Sequence, residues 1–114
     1  MTPSWIAEEP VVFVYADGRR NAGRIAVGLP EHVGADEARC SIALDGLERT
    51  RPIHGATTLQ ALLLAIRFLG MRLHDFMLKG GRVVDPNEDT DVPLGAFLGT
   101  LLRAAEPPTD DAQT

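Results

Sequence analysis

The chain has 114 residues, a formal net charge of −5 and a hydrophobic fraction of 45%. This length predicts a single domain with one core, and the hydrophobic fraction excludes an intrinsically disordered chain. The only cysteine, Cys40, excludes an intrachain disulfide. Residues 19–82 carry ten bases against six acids, whereas residues 83–114 carry seven acids against one base. The acidic balance argues against a nucleic-acid partner, since phosphate binding needs a concentrated basic patch.

The first apolar run is preceded by Glu8 and Glu9 and by no basic residue, which is unlike a secretory signal peptide. The longest apolar run ends at Arg67 and is too short to cross a bilayer. We therefore expect a cytoplasmic protein without a membrane partner.

Alternating and β-branched segments predict four strands at residues 11–15, 20–27, 37–44 and 47–53. Asp17-Gly18 and Asp45-Gly46 are typical of type I′ turns, so the strands should form two antiparallel hairpins. Residues 28–36 are predicted to be a loop, and residues 82–84 could add a short strand. Alternation places Cys40 on the inner face, as a buried thiol.

The segment TTLQALLLAIRFL, residues 57–69, predicts a helix with almost no polar face. Thr57 should cap its first turn, with Gln60 reaching back to the Thr57 amide. The helix should run to about residue 74, and residues 75–79 could extend it to Gly80-Gly81. Its polar positions form one seam: Gln60, Arg67 and His74. Such a helix must be covered on most sides, which favours a homodimer.

A second, amphipathic helix is predicted to open near Asp91, with Pro93 at its first position. Its apolar stripe comprises Leu94, Phe97, Leu98, Leu101 and Leu102. The predicted fold is therefore α+β: a four-stranded antiparallel sheet built from two hairpins, one long buried helix on one face, and an amphipathic C-terminal helix. Residues 1–105 should form the domain and residues 106–114 a flexible acidic tail.

The densest single-sign cluster is the acidic segment 85–91, DPNEDTD. It resembles a calcium loop at first, but Thr90 stands where the sharp turn needs glycine and Ala96 where a bidentate glutamate is needed. No metal or cofactor is therefore expected. The alternatives are a solvated loop or a partner-binding surface, and the candidate partner-binding residues are Asp85, Glu88, Asp89 and Asp91.

A second candidate surface carries arginines on the outer face of the sheet. Arg20, Arg24 and Arg39 share that face by alternation, and Arg49 and Arg51 would join them if the fourth strand has the same orientation. These side chains either keep the sheet soluble, recognise an anionic partner, or pair with an acidic loop of a neighbouring subunit.

The order of the Cys40 strand, Asp45-Gly46, His54-Gly55 and TTLQALLLAI resembles a family of small bacterial proteins of unknown function. The pattern there is a strand with cysteine, a hairpin, then G-x-[DT]-[ST]-L-Q-A-L-x-x-A opening a helix. The resemblance covers roughly residues 6–95, with Thr57-Thr58 in place of the more usual Asp-Ser. Proteins of this kind are similar to immunity proteins of bacterial toxin systems.

The resemblance implies a protein partner, in its concrete form a toxin, and brings no catalytic residues. The three histidines and two serines also lack the spacing of a zinc site or a nucleophile elbow. We therefore expect a non-enzymatic protein-binding module. The alternative is a small ligand-binding or regulatory domain that uses the arginine-bearing sheet face.

Overall fold

The computed structural model describes residues 4–93, which fold as one helix on an antiparallel β-sheet. The elements in chain order are β1 (Trp5–Val14), β2 (Arg20–Gly28), β3 (Glu31–Gly34), β4 (Glu37–Asp45), β5 (Glu48–Gly55), α1 (Thr58–Leu78) and β6 (Arg82–Val84). The α+β class is confirmed. The strand count is not, because the described residues contain six strands rather than four.

The sheet is centred on β4, β2 and β1. One edge of β4 pairs with β5. The other edge pairs with both β3 and β2, one after the other along the strand. At the far side of the sheet, β6 pairs with β1. The strand missed entirely is β3, which lies in the predicted loop. All four of its residues are exposed, so burial left no alternating pattern in its sequence.

Both predicted hairpins form, but their turns are not of type I′. In the first, the amide of Gly18 donates to the carbonyl of Tyr15, and only Gly18 has a positive φ, of 92°. This is a three-residue loop that ends in a left-handed glycine. In the second, positive φ occurs at Gly46 alone, as in a type II turn. Asp-Gly thus predicted the hairpins correctly and the turn geometry incorrectly.

The helix α1 begins as predicted. The Thr57 hydroxyl accepts the Gln60 amide at 3.0 Å, while the Gln60 side chain bonds the amide of Ala56 rather than that of Thr57. The helix continues to Leu78, the longer of the two predicted ends. There Gly80, with φ of 91°, donates to Met77, and Gly81 donates to Phe76. This is a Schellman motif, which satisfies the last carbonyls.

The core lies between α1 and the inner face of the sheet. Paired residues share a face, so the register Ile25–Leu44 and Val27–Ile42 places these side chains together under the helix. Phe13 on β1 meets Phe76 edge-to-face, with ring centroids 5.7 Å apart. The helix contributes five apolar core residues: Ala61, Ala65, Leu69, Leu73 and Phe76.

The expectation that α1 is covered on most sides is wrong for the described residues. Its core positions recur every three or four residues, as on an ordinary amphipathic helix. Large apolar side chains on the other side remain exposed: Leu59, Leu63, Leu64, Met71 and Leu78. Composition alone could not show this, since leucines face both the core and the outside.

Cys40 is the fully buried thiol that alternation predicted, and its Sγ donates to the carbonyl of Gly28 at 3.3 Å. Burial raises the pKa of this thiol, so the reactive thiolate is disfavoured in the folded chain. We expect iodoacetamide to alkylate Cys40 slowly at mildly alkaline pH and rapidly once denaturant unfolds the chain. Mass spectrometry over time checks this, and equal rates in both conditions would contradict it.

The second predicted helix and the predicted tail, residues 94–105 and 106–114, lie outside the described residues. The proposed domain limit at residue 105 therefore stays a prediction. Within the part of the chain described, the structure has no helix that is both long and apolar enough to span a membrane.

Candidate functional site

The outer sheet face carries Arg20, Arg24 and Arg39 as predicted, and each of them meets an acid of the same chain. Arg24 is the most connected: its Nε lies 2.7 Å from Asp45, its Nη1 lies 2.8 Å from Glu8, and its guanidinium stacks 4.7 Å above the Trp5 ring. The hydrogen bond to Asp45 is the main reason that the pKa of Arg24 is raised. Arg24 therefore ties β2 to its neighbours.

The other predicted arginines divide between the two faces. Arg39 pairs with Glu31 at 2.8 Å and Arg20 pairs with Asp89, both on the outer side. Arg51 lies opposite Ile42, a core residue, so it projects to the helix side and stacks over the Phe68 ring. The condition for it to join the outer arginines, the same orientation of the fourth strand, is not met at Arg51, because the register between β4 and β5 shifts before this position.

Arg49 is exposed and lies in the irregular part of β5. The five predicted arginines thus do not form one basic surface. Exposed pairs of this kind add little to stability, but they use up the charge that an anionic partner would need.

The acidic segment is also engaged within the chain. Asp85 accepts the amides of Asn87 and Glu88 at 2.8 and 2.9 Å, so its carboxylate shapes the loop. Asp89 pairs with Arg20. Asp91 pairs with Arg82 at 2.6 Å, and its backbone bridges Val84.

Glu88 is exposed, and its amide is held by Asp85. Within residues 4–93, no three acidic, histidine or cysteine side chains gather as metal ligands would. The acidic segment is thus a loop held in shape by hydrogen bonds and ion pairs within the chain. Replacing Asp85 would change the shape of the loop as well as its charge.

A charged clamp fastens α1 to β5. Nε and Nη2 of Arg72 both bond the same oxygen of Glu48, at 2.9 and 2.7 Å, and this contact is the main cause of the raised pKa of Arg72. One turn on, Lys79 lies 3.0 Å from Asp75, and their hydrogen bond lowers the pKa of Asp75. Sequence reasoning missed this clamp, because Glu48 and Arg72 are 24 residues apart.

Sequence reasoning also missed how the apolar surface of α1 is arranged. Leu64, Met71 and Leu78 are exposed by 38%, 44% and 73%, and they recur every seven residues. Such a spacing keeps side chains in one line that drifts by only about 20° per heptad. We call these three residues the heptad line. It runs beside the polar seam of Gln60, Arg67 and His74, which has the same seven-residue spacing. This spacing was the signal in the sequence that could have revealed the heptad line.

A pocket of about 390 Å³ lies beneath the C-terminal end of α1. It opens between the β1–β2 turn, the β4–β5 turn and the last turns of the helix. Its volume falls in the range of sites for small molecules. None of the predicted site residues lines it.

Comparison of the chain with protein-family models, curated proteins and solved structures gives no match. The resemblance to the small bacterial family rests on the motif around Cys40 and Thr57 alone, and it stays a prediction.

Proposed function

We propose that the protein is a non-enzymatic, cytoplasmic protein-binding module that receives a partner helix along the heptad line of α1. The observation that carries this proposal is the exposure of Leu64, Met71 and Leu78 in one row. Exposed apolar side chains that line up on one side of a helix are a feature of interaction surfaces. A toxin is the concrete partner that the motif resemblance suggests.

The chemistry of the row describes the partner. A helix packs on a heptad row by placing its own apolar side chains between those of the row. Arg67 flanks the row and is exposed, whereas Lys79 is already paired with Asp75. The partner helix should therefore carry an apolar stripe with acidic residues beside it.

The acidic loop is the less favoured contact. Asp89 and Asp91 each have an arginine partner within the chain, so a basic partner would first have to displace Arg20 or Arg82. The heptad line requires no such exchange. A second copy of this chain, the homodimer expected from the sequence, is the competing occupant of the same row.

The test uses a photocrosslinking amino acid at Met71 in the full chain, expressed in its source cell. A matched probe at His32, which is exposed on β3, reports non-specific capture. We expect a distinct protein to be captured from Met71 alone. Capture of only a second copy, or equal capture from His32, overturns the proposal.

Affinity of the captured partner then tests the row itself. Met71→Glu should weaken binding by at least about tenfold, as loss of an interface anchor does. Leu63→Glu is the matched control, because Leu63 is an exposed leucine of the same helix outside the row. Melting temperatures should stay close to that of the parent for both variants. Equal weakening by both substitutions would contradict a binding site on the heptad line.

A further inference from the structure

The floor of the pocket is apolar and aromatic. Tyr15 and Phe76 meet edge-to-face, with ring centroids 5.3 Å apart, and Leu47 lies beside them. The Tyr15 hydroxyl donates to the carbonyl of Gly46 at 3.1 Å, which fixes the ring and occupies its polar end. The floor therefore offers an apolar, aromatic surface to a ligand.

The rim of the pocket is charged and carries both cations and acids. Arg19, Arg72 and Lys79 line it together with Asp17 and Asp75. Each of the two carboxylates already has a cation: Asp17 accepts the Arg19 amide and its Nε, and Asp75 lies 3.0 Å from Lys79. The hydrogen bond from the Arg19 amide is the main reason that the pKa of Asp17 is lowered. Neither carboxylate needs a ligand cation.

Some guanidinium N–H groups on the same rim are still able to donate a hydrogen bond to a ligand. Arg19 bonds Asp17 through Nε, and within residues 4–93 neither of its Nη groups has a hydrogen-bond acceptor. Its guanidinium is stacked 4.3 Å from the centroid of the Tyr15 ring. This stacking holds the guanidinium in place above the floor of the pocket. Nη1 of Arg72 lies 3.9 Å from Asp75, beyond hydrogen-bond distance.

The C-terminal end of α1 repels an anion less strongly than a helix end with unbonded carbonyls would. Its last carbonyls, which carry the negative end of the dipole, accept the amides of Lys79, Gly80 and Gly81. Lys79 adds a positive charge at the same end.

From this arrangement we infer that the pocket binds a small organic carboxylate with an apolar body. The apolar body lies on Tyr15, Phe76 and Leu47, and the carboxylate meets the guanidinium of Arg19, whose paired donors match its two oxygens. On the helix side, Lys79 and Arg72 are each paired with an acid of the chain, so Arg19 is the main contact of the carboxylate. This binding site is separate from the heptad line, so either proposal can fail without the other.

Phenylacetate is a suitable probe, and phenylacetamide is its neutral counterpart of almost the same shape. Titration of the full-length, isotope-labelled chain followed by amide NMR should move signals of Ala16, Leu47 and Gly81 with phenylacetate. We expect phenylacetamide to bind at least about tenfold more weakly, because it lacks the charge that the cations attract. Equal binding of both probes, or shifts only outside the pocket, overturns the inference.

Variants separate recognition from folding. Arg19→Gln and Lys79→Gln alter exposed side chains, and each should weaken phenylacetate binding, the former by about tenfold. Arg67→Gln is the matched control, since it removes the same charge from α1 outside the pocket lining. It should leave the affinity within about twofold. Unchanged affinity in Arg19→Gln, or an equal loss in Arg67→Gln, contradicts a site built around Arg19.

Discussion

Replacing Gly23 with alanine is expected to destabilise the fold by about 3 kcal/mol or more. Gly23 lies on the inner face of β2, directly under the turn that joins β4 to β5. A Cβ atom at this position would lie 1.5 Å from the carbonyl oxygen of Asp45 and 3.2 Å from the Cα of Gly46. Both atoms belong to the backbone, so no side-chain rotation relieves the overlap.

The turn above Gly23 has little freedom to move away. The carbonyl of Gly46 accepts hydrogen bonds from the side chains of Tyr15 and Asn21, at 3.1 and 2.9 Å. A Cβ on Gly46 itself would lie 2.8 Å from the carbonyl oxygen of Ala22. The two hairpins therefore meet backbone to backbone, and an alanine at position 23 must push them apart.

Urea unfolding of the full chain measures the effect, and Gly34→Ala is the matched control. A Cβ at Gly34 meets only the Glu37 side chain, at an ordinary 3.7 Å, so this change should stay within about 0.5 kcal/mol of the parent. Similar midpoints for the two variants would show that the β2 and β4 backbones do not approach as closely as described.

Local signals were enough to predict much of this fold. The strands around Phe13, Ile25 and Ile42 each have an alternating pattern that burial imposes, and Thr57 marked the start of α1 by its side-chain chemistry. These predictions required only residues that are close in sequence. They were confirmed where one face of an element is buried.

The sequence was not sufficient where the deciding contact is distant along the chain. The register shift that turns Arg51 toward Phe68 depends on how β5 meets β4, and no pattern within β5 records it. Arg20 and Asp89 were assigned to two separate candidate surfaces, although they are paired across 69 residues. The pocket likewise combines two turns and a helix end, so none of its residues stood out as part of a binding site in the sequence.

The orientation of α1 gives the last prediction. Leu73→Ala is expected to cost about 2–5 kcal/mol, because it removes a fully buried side chain from the core that includes Ile42 and Leu44. From sequence alone, the same cost is expected at Leu62 and Ile66, but both are only partly buried. The core stripe is shifted around the helix to Ala61, Ala65, Leu69 and Leu73.

Leu63→Ala on the same helix is the control for that measurement. Leu63 is 57% exposed and has the same size and helix propensity as Leu73, so its truncation should change the stability by no more than about 0.5 kcal/mol. Chemical denaturation of both variants, with the slope of the transition unchanged, gives the two losses directly. A large loss at Leu63 would mean that this side of α1 is covered in the full-length chain in solution. The heptad line beside it would then be closed to a partner helix, and the proposed binding face would fail with it.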